Sequence, residues 1–74
     1  QRNNQMTLTT KEIAQHYKAA MDSVRLINEI VASGDTDTES ADTKSRNQEH
    51  LEIMVAKDFW TTEDLTPLTS AINA

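Results

Sequence analysis

The stretch "SGDTDTESADTKSR", residues 33–46, decides the fold of this chain. A glycine followed by acids at alternate positions, Asp35, Asp37 and Glu39, resembles the opening of a calcium loop. The same residue types also start helices. An EF-hand loop beginning at Asp35 needs glycine at its sixth position for the sharp turn and a bidentate glutamate at its twelfth. Those positions hold Ser40 and Arg46, and a guanidinium repels the ion. The helical reading meets no such objection. Gly34 is placed as a left-handed C-cap that closes one helix. Thr36 with Glu39 forms a capping box for the next. Asp37, Glu39 and Asp42 lie near the positive end of that helix's dipole, and Asp42 with Arg46 makes an i,i+4 pair in the favourable order. The stretch is therefore a reversal between two helices.

The segment before it carries its own start signal. In "LTTKEI", residues 8–13, Thr9 is the N-cap and Glu12 completes a capping box, with Leu8 and Ile13 spaced as a hydrophobic staple. Ile13, Tyr17, Ala20, Val24, Ile27 and Val31 then recur at intervals of four and three, one face of a helix over 10–33. Helix 2 is expected from about 37 to 57–59. Its first half offers only Ala41 to a core, so it should project into solvent or fray; its apolar stripe, Leu51, Met54, Val55 and Phe59, comes late. "WTTEDL", residues 60–65, repeats the capping pattern, with Trp60 and Leu65 as the staple. Pro67 removes a backbone donor and pushes Thr66 out of the α region. A single turn at 62–65 and a short helix from Pro67 to about Asn73 follow from that.

The totals agree with an all-α chain. One Gly, one Pro and three aromatics in 74 residues are too few for strands and their turns. The fold expected is an antiparallel helical hairpin of two long helices with a short third helix at the C-terminus. Residues 1–8 form a flexible segment, with Met6 a natural start, and 9–74 a single helical domain. So short a chain is marginal alone and commonly needs a disulfide, a metal or a partner subunit. There is no Cys, which removes the first and any thiolate metal site.

Twelve acids against seven bases, a net charge of −5, argue against non-specific binding to nucleic acid or an anionic membrane. No run approaches the length of a membrane span, and no signal peptide opens the chain, so a cytoplasmic setting is expected. His16 and His50, with Glu12, Glu49 and Glu52 close by in sequence, lack metal-site spacing such as HExxH; no metal and no cofactor are expected. No nucleophile motif or phosphate loop is present, so no catalytic residues are assigned. Residues 10–29 partly fit a helix-turn-helix, with Ile13, Ala14, Tyr17, Val24 and Ile27 apolar where that motif needs them. Its turn position, usually glycine, is Lys18, and Arg25 is the one strong DNA contact on offer. A small DNA-binding regulator is the alternative function on this reading, and a break at Lys18–Ala20 its signature. An acidic mimic of nucleic acid would need its acids on one face, whereas here they are spread along the chain.

The run "RNQEHLEIMVAKDFWTTEDLTPLTSAI", residues 46–72, resembles the C-terminal part of small proteins encoded by marine cyanobacterial phages, chiefly through "EHLEIMVAKDFW" and "EDLTPL". The resemblance implies a phage origin and a host-cytoplasmic setting; it implies no activity and no catalytic residues, and a host or virion protein enters only as a further partner on the interaction reading below.

Helix 1 has a second line, Ala19, Ser23, Leu26 and Ile30, rotated by roughly 100° from the first. Ile53 and Trp60 put helix 2 in the same two-faced condition. One short chain cannot wrap both faces of both helices. The expected function is therefore a non-enzymatic protein–protein interaction module. It forms a homo-oligomer, a dimer, through Ala19, Ser23, Leu26, Ile30, Ile53 and Trp60.

Overall fold

The computed structural model describes residues 8–74; the expected flexible segment lies outside them except for Leu8. Three helices and no strand are present among the described residues: α1 (Thr10–Ser33), α2 (Thr38–Val55) and α3 (Thr62–Ile72). The chain is all-α, as its composition requires.

α1 begins where its capping box lies. The Thr9 hydroxyl accepts from Glu12 N–H at 3.1 Å, and the Glu12 carboxylate accepts from Thr9 N–H at 2.8 Å. It ends at Gly34, whose φ of 74° is the left-handed conformation that glycine adopts without Cβ strain. Ser33 helps to close the end, its hydroxyl donating to Ile30 C=O at 2.8 Å and accepting from Asp35 N–H at 3.2 Å. The reversal is thus only a few residues long. Most of residues 35–46 is helix rather than an ion-binding loop.

The cap of α2 differs from expectation by one residue. Asp37, not Thr36, is the N-cap, and its carboxylate accepts from Ser40 N–H at 3.2 Å. A charged acceptor bonds the helix N-terminus more strongly than a hydroxyl, which is sufficient reason for Asp37 to prevail. α2 also stops earlier, at Val55, so Phe59 and Trp60 lie in the connection to α3.

The largest departure is α3. It runs unbroken from Thr62 to Ile72 with Pro67 inside it. Thr61 and Asp64 form its capping box, as the repeated pattern indicated. Pro67 is the sixth helical residue, so the one intrahelical bond it forfeits is to Glu63 C=O, on an exposed residue near the helix start that water can reach. Continuing the helix buries Leu68 and Ala71, which offsets that loss.

Each helix supplies one large side chain with no exposed surface: Ile27 from α1, Leu51 from α2 and Leu68 from α3. Ala20, Val24, Met54 and Ala71 complete the core, with Met21, Val55, Trp60 and Ile72 against its edge. The stripe on α1 is therefore correct at Ala20, Val24 and Ile27, but Val31, at its far end, is 49% exposed. α3 does more than close one end. It starts beside Trp60, whose ring lies 6.1 Å from Tyr17, and finishes against Gln48, so it runs antiparallel to α2 along one side of the hairpin.

Gln48 is the residue that periodicity missed. Its Nε2 donates to Ala71 C=O and Ile72 C=O at 3.1 Å and approaches Ala74 C=O at 3.4 Å. Those are carbonyls at the end of α3, where the regular helical ladder runs out and Ala71 C=O has the turn bond from Ala74 N–H at 3.2 Å. The first half of α2 does not simply project into solvent: Ser40, Thr43 and Lys44 are half-buried, as are Asn47 and Gln48 just beyond it.

The caps set a stability test. Thr9→Ala should cost about 1 kcal/mol in a urea melt. Thr36→Ala should change little, whereas Asp37→Ala should lower the melting temperature clearly. Hydrogen bonds from Thr9 hold the Glu12 carboxyl below its ordinary value, and bonds from Ser40 do the same for Asp37. A folded-state value that is lowered gives stability above the unfolded value and loses it as pH falls through the folded one. Melting temperature should therefore drop on acidification below about pH 4, and the drop should be smaller in Asp37→Ala.

Candidate functional site

With α3 on one side of the hairpin, the other side of α1 and α2 is left without a covering element. Leu26 is 38% exposed there and Ile53 64%. Ala19 is exposed and Ile30 half-buried. Four of the six residues assigned to an interface from sequence thus reach the surface. The other two are committed within the chain. Ser23 is only 8% exposed, because it turns into the interior beside Ala20 and Ile27. Trp60 packs on the core, and its Nε1 donates to Met54 C=O at 2.7 Å. It thereby gives a carbonyl of the last turn of α2, which also accepts from Lys57 N–H at 3.0 Å, a second donor and ties the connection to α3 back onto that helix.

Below Leu26 the open face deepens into a groove of about 450 Å³ between the first half of α1 and the end of α2. Leu8, Ala19, Ile53, Met54 and Phe59 supply its apolar lining, and His16, His50 and Lys57 its polar groups. Its geometry depends on an aromatic cluster at the base. The rings of Phe59 and Trp60 are 4.5 Å apart and tilted by 54°, and His16 lies 5.6 Å from Phe59. Such tilted pairs hold ring edges against ring faces. Periodicity puts Phe59 in the core stripe; it is instead half-buried and borders the groove, because α2 ends before it.

The two histidines do meet along one groove, from different helices. No carboxylate lines it with them, and no group of three or more His, Cys, Asp or Glu is placed to hold a metal among the described residues. Glu12, one turn before His16 on α1, is engaged by Thr9 and feels His16 only as a lesser influence. The helix-turn-helix reading also lacks its signature, since α1 is continuous through Lys18, Ala19 and Ala20. No helix among the described residues is long and apolar enough to cross a membrane.

Comparison with protein-family models, with curated proteins and with solved structures found no match. The face just described is the feature on which a functional reading can stand. A surface of aliphatic side chains with few polar partners can bury area against another protein.

Proposed function

We propose that this chain is a non-enzymatic protein–protein interaction module that pairs with a second copy of itself through the open face of α1 and α2. The observation that carries the reading is that Ala19, Leu26, Ile30 and Ile53 stay accessible on the side of the hairpin that α3 does not cover. Two aliphatic side chains in water on one face of so small a chain forfeit burial that a partner can recover. Ala19 is small, so another helix can approach its backbone closely.

The resemblance of residues 46–72 to small phage proteins supports a setting in a host cytoplasm, as an accessory factor that, once assembled, acts on a host or virion component. The net charge of −5 supports a protein partner rather than a nucleic acid or membrane. The test is light scattering coupled to gel filtration at tens of micromolar. Two chains per particle are expected; a single chain per particle overturns the reading.

A further inference from the structure

The charges on α1 say how the second copy lies. Lys18, Asp22, Arg25 and Glu29 are all exposed and recur at intervals of four, three and four, so they form a straight line along the helix. That line borders the open face, since Asp22 and Glu29 sit one turn to either side of Leu26. Asp22 and Arg25 already pair within the chain at 3.1 Å. The signs run plus, minus, plus, minus. They are antisymmetric about the midpoint between Ser23 and Val24: Lys18 and Glu29 are equidistant from it and opposite in charge, and so are Asp22 and Arg25.

We infer that two copies pair antiparallel along α1, related by a two-fold axis through the midpoint between Ser23 and Val24. This deepens the dimer reading above and rests on it. A two-fold axis perpendicular to two side-by-side helices keeps the same flank of each on the same side and reverses its direction. The charged line of one copy then runs beside that of the other. Lys18 falls level with Glu29 of the second copy, and Asp22 level with Arg25, each contact occurring twice. A parallel pair, whose two-fold axis runs along the helices, would put the two charged lines on opposite sides of the seam and form none of these contacts. The helix overlap that this axis creates, residues 14–33, contains no other Asp, Glu, Lys or Arg.

The apolar groups agree with the register. Leu26 comes level with the gap between Ala19 and Ser23 of the second copy, where the side chains are small. Ile30 comes level with the stretch between His16 and Ala19, at the upper margin of the groove that Ile53 and Phe59 also line. Protrusion and recess lie on the same helix, about two turns apart, so only an antiparallel copy brings each onto the other.

Charge reversal with mixing tests the orientation. Lys18→Glu and Glu29→Lys each place like charges at both symmetry-related contacts and should weaken self-association about tenfold. Mixed in equal amounts, the two variants should form a heterodimer as tight as the unaltered dimer. At one contact the introduced carboxylate then meets the introduced ammonium, and at the other the original Lys18 and Glu29 side chains still face each other. Circular dichroism of each variant at dilution checks that the monomer keeps its helices. Mixing cannot repair a folding defect, so recovery reports the cross-chain contact alone. Affinity of the unaltered dimer should also fall with salt. If the unaltered protein is dimeric but mixing restores nothing, the antiparallel register is wrong while the dimer reading stands. If the unaltered protein is monomeric, both fail.

Discussion

Leu26→Lys is expected to convert the dimer to a monomer at tens of micromolar while leaving the three helices in place. Leu26 is 38% exposed in the single chain, so the fold does not depend on hiding it, and a lysine stem can lie along the surface with its ammonium in water. At a two-fold interface the substitution acts twice. A loss of about 1 kcal/mol at each of two symmetry-related sites raises the dissociation constant about 30-fold. Two new ammonium groups near the centre of the seam add repulsion. The readouts are mass by light scattering and the concentration dependence of the melting temperature, because a dimer's melting temperature rises with protein concentration and a monomer's does not. A variant that still forms dimers would take Leu26 out of the interface, and one that loses its helical signal at dilution would place Leu26 in the fold.

Leu51→Ala should have the largest effect on the fold itself. α2 contributes just two buried residues, Leu51 and Met54, and only Leu51 has no exposed surface. Removing it leaves a cavity in the core that it shares with Ile27 and Leu68, the fully buried residues of the other two helices. Comparable truncations cost about 2–5 kcal/mol, against a total stability of about 4–11 kcal/mol for a chain this size. Much of the population should be unfolded in mild urea. Ile53→Ala is the control. Its side chain is 64% exposed, so in dilute protein it should cost less than about 0.5 kcal/mol, and at high concentration its effect should appear in association instead. Similar losses for both variants under dilute conditions would mean that the core is wrongly assigned.

The two variants separate what the face does from what the core does, and that separation follows how the fold is encoded. Interactions spanning three or four residues were legible in the sequence. Thr9 with Glu12, Gly34 as the left-handed cap and Thr61 with Asp64 are each set by neighbours in the chain, and the structure places all three as read. The stripe of Ala20, Val24 and Ile27 was legible because a helix turns at a constant angle whatever packs against it. The existence of a second apolar line on α1 was legible for the same reason, and so were its accessible members, Ala19, Leu26 and Ile30.

Tertiary structure decided what lies on either side of those helices. Periodicity shows that Ser23 shares a line with Leu26 but not that the interior would take Ser23 and leave Leu26 in water. Pro67 reads locally as a break. It stays inside α3 because Leu68 and Ala71 gain burial against two other helices, an energy that no window around Pro67 contains. Trp60 reads as an exposed anchor until the carbonyl of Met54 is placed beside its indole N–H. Gln48 reads as one polar residue among many in the middle of α2, yet it bonds a helix end 23 and 24 residues further along the chain. The local code named the helices and their ends; the side on which α3 settles, and hence the face left open for a partner, depended on long-range burial and hydrogen bonds that only the folded chain brings together.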